Sequence, residues 1–205
     1  MKTQIIPAAL PEALTRALET LRKGQPVAFP TDTVYGIGAS LWDAQAIERL
    51  FIVKDRPAEK AVAVLLGEPA ALTQVAETLS RTAQRLAERF WPGALTLVVR
   101  RRLDLPDNLS PNLTIGVRMP DHPLALALLR RAGPLAVTSA NLAGAANAAT
   151  AQEVYAQLAG RIPLILDGGK TPGGLPSTVL DCTTDEPRIL RPGPITPEMI
   201  AAALA

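Results

Sequence analysis

Short apolar runs alternate with segments of helical periodicity from one end of the chain to the other, and few folds accept that order. Leu14, Leu18 and Leu21 recur at helical spacing, with Pro11 near the start and Gly24 just past the end. Val27–Phe29 reads as a strand stopped by Pro30, and residues 34–38 as a second extended piece. Asp43 is placed to cap a helix whose buried face is Ala46, Ile47, Leu50 and Phe51. The continuous apolar run 61–66 suits a central strand. Ser80 starts a helix carrying Leu86, Ala87 and Phe90, and strands are expected at 94–99 and 113–117. A helix over 121–131 stops at Gly133, ahead of a short strand at 135–137. Thr150 and Glu153 have the form of a capping box for a helix ending at Gly160. Strands at 164–166, 178–180 and 188–190 follow, then a last helix led by Thr196 and Pro197. This interleaving predicts an α/β fold: an open, mixed sheet with some antiparallel neighbours, covered by helices.

The chain has 205 residues, 48% hydrophobic and 20% charged, which suits one domain (1–205) with one sizeable core. Aromatic residues are only 3%, so that core must be aliphatic. With 21 Lys plus Arg against 19 Asp plus Glu, the net charge of +2 permits nucleic-acid contact without arguing for it. Arg100, Arg101 and Arg102, preceded by Arg81, Arg85 and Arg89, make a local excess that reads either as a phosphate-attracting patch or as a solvated strand edge. A single cysteine, Cys182, excludes an internal disulfide and fits a reducing, cytoplasmic setting. The N-terminal stretch lacks the apolar core of a signal peptide, and no run is long enough to cross a membrane.

Familiar phosphate motifs fail on inspection. Gly36-Ile37-Gly38 begins a dinucleotide fingerprint whose third glycine is replaced by Leu41. Gly169-Lys170-Thr171 resembles the end of a P-loop, but Leu164 stands where its first glycine belongs, and Pro172-Gly173-Gly174 denies the helix that should follow. One histidine and one cysteine leave no basis for a triad or a zinc site, and no metal ligand is expected. His122, in a first helical turn, reads as a surface residue. Asp167 and Asp181 both end strands, which does not establish an acid–base pair. Chemistry run by positioning and electrostatics is the better expectation.

Polar clusters instead recur at the ends of apolar strands, where α/β folds hold ligands. The block 30–36 puts Thr31, Asp32 and Thr33 between two extended segments, fit for a cleft or for a polar turn. Lys54 and Arg56, two apart in a loop, can face one anion; Lys60 adds a third charge, though such a pair is commonly solvated surface. Alternation along 114–118 puts Thr114, Gly116 and Arg118 on one strand face, whether a ligand-binding face or a charged edge. Thr138-Ser139-Ala140-Asn141 offers hydroxyls and an amide after a strand, suited to an anion or to a capping turn. Ser177 and Thr178 follow the glycine-rich loop 168–174, a lid or a long connection, and Arg191-Pro192-Gly193 follows the last strand.

The ordered blocks FPTDTVYGIGA, KDRP, FWPGALT, TIGVRMP, TSAN, STV and ILRPG resemble the YrdC/TsaC family of threonylcarbamoyl-adenylate synthases, from about Gly24 to Gly193. The resemblance implies a twisted open α/β sheet with a basic concave cleft. It also implies an enzyme that makes L-threonylcarbamoyl-AMP from L-threonine, bicarbonate and ATP with Mg²⁺, releasing pyrophosphate. The product supplies the threonylcarbamoyl group for a modified tRNA adenosine through downstream transfer proteins, with at most weak RNA contact and no membrane. By motif, Lys54 and Arg56 are the catalytic pair beside the phosphates. Thr33, Arg118, Thr138 and Ser177 match L-threonine contacts. Lys60, Thr114, Ser139, Ala140, Asn141 and Arg191 match ATP contacts, with Lys54 and Arg56.

Three positions depart from the family pattern: Pro176 replaces an acid before Ser177, Ala148-Ala149-Thr150 replaces Ser-Pro-Thr, and Leu65 stands where some relatives have histidine. The chain's extent matches the short, single-domain form. Two other readings compete with the synthase. One is a non-catalytic RNA-binding module of the same fold, which the scarcity of aromatics disfavours. The other is carbamoyl transfer within a larger maturation enzyme, which the absence of zinc-finger cysteines disfavours.

Overall fold

Burial alternates along the central strands with a period of two, and each half of the alternation feeds a different core. The structure is a computed structural model describing residues 1–57 and 59–205. Its first half runs β1 (Gln4–Pro7), α1 (Ala13–Arg22), β2 (Val27–Phe29), β3 (Gly36–Ser40), α2 (Ala44–Lys54), β4 (Ala63–Leu65), β5 (Ala76–Thr78) and α3 (Arg81–Phe90). Then come β6 (Leu95–Arg101), β7 (Thr114–Arg118), α4 (Pro123–Ala132), β8 (Leu135–Ser139) and α5 (Ala151–Leu158). The last elements are β9 (Leu164–Asp167), β10 (Thr178–Asp181), β11 (Arg188–Arg191) and α6 (Pro197–Leu204). Short 3₁₀ turns lie at Pro69–Gln74 and Asp107–Leu109.

All strands join one sheet in the order β1-β9-β2-β3-β8-β4-β7-β6-β10-β11, with β5 paired to β6. Parallel pairs (β1 with β9, β9 with β2, β4 with β7, β6 with β10) mix with antiparallel ones, as the interleaved pattern predicts. Val27 and Phe29, Leu135 and Val137, and Leu164 and Leu166 point to the face covered by α1 and α4. Ala28, Ala136 and Ile165, between them, point to the opposite face, where α2, α3, α5 and α6 bury Ile47, Leu86, Val154 and Ile200. Full burial of such aliphatic side chains contributes roughly 1.5–3 kcal/mol each.

The glycines of β3 have a packing role. A Cβ at Gly38 would stand 3.1 Å from the Phe29 ring and 3.2 Å from Val137, so two large side chains meet across this strand. The partial dinucleotide motif is thus a strand crossing. The expected helix starts hold: the Asp43 carboxylate accepts from Gln45 and Ala46, Ser80 from Ala83, Thr150 from Glu153 and Thr196 from Met199. The Glu153 side chain turns back to the Ala149 backbone N–H. In α1 the buried stripe is Ala13, Ala17 and Leu21, with Leu14 and Leu18 half-buried beside it.

Candidate active site

Over β7, β6 and β10 the sheet face that carries α1 and α4 elsewhere has no helix, and it becomes the floor of a cavity of about 450 Å³. Ala63 and Leu65 of β4, Gly116 and Arg118 of β7, Thr96 and Val98 of β6 and Val179 of β10 form this floor. All are positions whose strand neighbours point into the opposite core. Gly116 keeps the floor low: a Cβ there would lie 3.0 Å from Thr96 Cγ2. Arg56, Arg118, Thr138, Ser139, Ser177 and Arg191, drawn from five separate stretches of sequence, all line this one space.

Arg118 is the most constrained of them. Its Nε donates to Gly93 O at 2.8 Å, Nη1 to Thr33 Oγ1 at 2.9 Å, and Nη2 to the Asp32 carboxylate. Both members of this ion pair are largely withdrawn from water, at 7% and 13% side-chain exposure. Burial lowers the Arg118 pKa, Asp32 opposes that shift, and the charge of Arg191 adds to it. Thr33 is oriented by its own turn: its hydroxyl lies 3.0 Å from Thr31 Oγ1, and Thr31 Oγ1 also accepts from Thr33 N–H and donates to Val34 O. Thr33 therefore stands behind Arg118, while Thr31 lines the cavity.

Lys54 ends α2 with its side chain only 1% exposed, and its ammonium donates to Ser139 O and Asn141 O. It lines the back of the β8 loop and not the cavity itself. Burial, with the charge of Arg56 adding to it, pulls its pKa down to about 8. Asn141 is buried as well; its Nδ2 donates to Leu142 O and Ala145 O, and its Oδ1 has no partner among the described residues. Ala140 is fully buried and ties β8 to the first polar block through its N–H to Tyr35 O. Thr114 shares the cavity face of β7 but lies past its edge, opposite the exposed Arg100. Lys60 is exposed on the loop before β4. Lys54, Thr33, Ala140, Asn141, Thr114 and Lys60 are thus not among the side chains that wall the cavity.

On the other side, Arg191 Nε and Nη2 both donate to Ser177 O, and Nη2 also reaches Ser177 Oγ at 3.2 Å. Ser177 Oγ lies 2.7 Å from Thr96 Oγ1. Arg56 donates to Ala61 O at 2.8 Å, and its buried Nε has no partner among the described residues; burial lowers the pKa of both Arg56 and Arg191. The backbone at Gly193 closes this side so tightly that a Cβ would lie 2.4 Å from Thr178 N and 2.7 Å from Pro176 O. Gly193→Ala is expected to cost about 1–3 kcal/mol, read as a lower urea midpoint, because only backbone could give way.

Several expectations need correction. Residues 168–174 line no part of the cavity. This loop is fastened beside it: Tyr35 Oη donates to Gly169 O and accepts from Gly168 N–H, Thr171 N–H reaches Ala149 O, and Gly174 N–H reaches Thr33 O. Burial pushes the Tyr35 phenol up to about 12, so it remains a donor. His122 occupies the N-cap position of α4 and is only half-exposed, and burial lowers its pKa. Asp167 and Asp181, which the sequence does not establish as a pair, are separated by the six strands between β9 and β10. Half of the arginine-rich patch is engaged within the chain, while Arg81, Arg89 and Arg100 are exposed. Arg101 pairs with Asp107, Arg102 with Asp104, and Arg85 donates to Ala203 O and Leu204 O at the end of α6. Tyr35, Thr96 and Asn147 line the cavity without a sequence-based role. Thr96 had two signals, a hydroxyl inside the apolar run of β6 and its place at the end of the block FWPGALT; Asn147, in an irregular loop, had none.

The family model described as telomere recombination (Sua5/YciO/YrdC) matches residues 19–193, a span that includes every cavity-lining residue. The chain belongs to the Sua5/YciO/YrdC family. Among Sua5/YciO/YrdC relatives, it is 44% identical over 197 residues to a threonylcarbamoyl-AMP synthase of Bacillus subtilis, covering 93% of this chain and 56% of the relative. A threonylcarbamoyl-AMP synthase of Vibrio cholerae is 35% identical over 189 residues, covering 90% of this chain and 100% of the relative. The fold superposes on Pyrococcus abyssi Sua5 complexed with L-threonine with a TM-score of 0.94 at 36% identity, covering 100% of this chain and 61% of that one. Escherichia coli YciO gives a TM-score of 0.83 at 28% identity, with 94% and 96% covered. The chain thus spans little more than half of the Bacillus relative and all of the Vibrio one.

Proposed function

We propose that this chain is a threonylcarbamoyl-AMP synthase, joining L-threonine, bicarbonate and ATP into L-threonylcarbamoyl-AMP with release of pyrophosphate. The observation that carries the reading is the convergence of Arg56, Arg118 and Arg191 with the hydroxyls of Thr138, Ser139 and Ser177 on one cavity, in a chain whose relatives bear that name. In this reading Arg118 takes the threonine carboxylate, with Thr33 aligning it and Thr138 and Ser177 beside the amino acid. Arg56 and Arg191 take nucleotide phosphate with Ser139, and Lys54 fixes the loop that presents Ser139 and Asn141. Lys60, Thr114 and Ala140 belong to the nucleotide side by motif and act from outside the cavity walls.

The amine of threonine combines with bicarbonate to give a carbamate, forming the N–C bond as water is lost, and a carbamate oxygen then attacks the α-phosphorus while pyrophosphate leaves. Fixed guanidinium and hydroxyl donors stabilise the charge that builds on the phosphoryl oxygens without reorganising during the step. Mg²⁺, carried by the triphosphate, would neutralise part of that charge. Among the described residues no three His, Cys, Asp or Glu side chains gather to hold an ion, so no residue of this chain is assigned to it. The reading treats 1–205 as one catalytic domain working in the cytoplasm, its product consumed by tRNA threonylcarbamoyl-transfer proteins. No helix among the described residues is long and apolar enough to cross a membrane. The RNA-module alternative loses ground because Arg101, Arg102 and Arg85 are engaged within the chain.

Pyrophosphate release from ATP by the purified chain is expected to require both L-threonine and bicarbonate. Release that ignores threonine would overturn the proposal.

A further inference from the structure

Arg118 has five N–H groups, and three are engaged: Nε with Gly93 O, one on Nη1 with Thr33 Oγ1, and one on Nη2 with Asp32. One N–H therefore remains on each terminal nitrogen, on a side chain that lines the cavity. A guanidinium held in this way can offer its remaining N–H donors to an anion such as a carboxylate. Asp32 is the only one of the three partners that is charged, so it contributes most to fixing the fork against rotation. It lines no part of the cavity itself. The loop at 173–174 lies directly on its backbone: a Cβ at Gly173 would sit 2.8 Å from Asp32 O, and Gly174 N–H bonds to Thr33 O. The carboxylate itself is 13% exposed, and in that largely dry setting its hold on Arg118 is stronger than it would be in water.

We propose that Asp32 is a positioning residue for the amino-acid substrate, holding the Arg118 guanidinium so that its remaining N–H donors meet the substrate carboxylate. This rests on the synthase reading, because the carboxylate is that of L-threonine. Asp32 touches neither substrate nor nucleotide, so its loss acts on amino-acid binding and spares the nucleotide.

The test is calorimetric titration of L-threonine into the full chain, its Asp32→Asn and Asp32→Ala variants, and an Asp121→Asn control at an exposed acid. Initial rates of pyrophosphate release are measured beside it. Asp32→Ala is expected to weaken threonine binding and raise its KM roughly 10–100-fold, with kcat and the KM for ATP changed by less than about 3-fold. Asp32→Asn, which keeps the shape and one acceptor, should fall between Asp32→Ala and the unaltered chain, while Asp121→Asn should match the latter. Equal loss in the threonine and ATP constants, or unchanged threonine binding in both Asp32 variants, overturns the proposal. If the unaltered chain binds threonine but releases pyrophosphate without it, the synthase reading fails, and the titration alone decides the role of Asp32. Absence of threonine binding by the unaltered chain overturns both.

Discussion

Arg118→Met is expected to cost about 3–5 kcal/mol of folding stability, because it strands the Asp32 carboxylate in a nearly dry site. Adding Asp32→Asn to it should recover much of that loss, since neither charge is then buried alone. Chemical denaturation of the single and double variants reads this directly. Threonine-dependent turnover behaves differently: it falls by roughly 10²-fold or more in the single variant and is not restored in the double, since the carboxylate fork is gone in both. Recovery of stability without recovery of activity separates a ligand-binding arginine from a purely structural one. Recovery of both would make the pair structural only.

Lys54→Met is the second large effect. The ammonium holds the carbonyls of Ser139 and Asn141 from behind, so its loss frees the loop at the end of β8. Activity is expected to fall roughly 10²-fold, the cost of misplacing reacting groups by about an ångström, with a smaller change in stability because a buried charge leaves as well. The same residue predicts a pH dependence. Its folded pKa of about 8 lies below the value of about 10.4 for an unfolded lysine. Between these values the unfolded chain binds the extra proton, so this group's contribution to stability rises with pH across the window. Urea midpoints of the unaltered chain should therefore gain on those of Lys54→Met from pH 8 to pH 10. A gap independent of pH would mean that Lys54 is not desolvated as its burial implies.

Much of the fold was legible because burial here follows simple periods. The four capping side chains announced four helix starts, and the aliphatic runs announced the strands in their interior. β1 and β5 were not legible: one is an edge strand ending in Pro7, the other a short, irregular pairing with β6. Their stability comes from neighbours distant in sequence, which local pattern does not encode. β3 begins at Gly36 and not at residue 34, since Tyr35 N–H is already committed to Ala148 O.

The candidate site divides in the same way. Alternation along β7 put Gly116 and Arg118 on the face that became the cavity floor, and the cluster after β8 put Thr138 and Ser139 on its wall. Which arginines would face the cavity could not be read locally. Arg56, Arg118 and Arg191 open on the cavity, whereas the more conspicuous run Arg100–Arg102 is mostly paired with Asp104 and Asp107, a few residues along. Lys54 carried the motif's signal, but its depth behind Ser139 depends on how α2 packs against the sheet.

The most direct measurement is a crystal structure of the chain with L-threonine and a non-hydrolysable ATP analogue. Arg118 should hold the amino-acid carboxylate on N–H donors left free by Gly93, Thr33 and Asp32, with the phosphates lying between Arg56, Ser139 and Arg191. Threonine or nucleotide bound away from this cavity, or Arg118 still without a ligand while both are present elsewhere, would contradict the account.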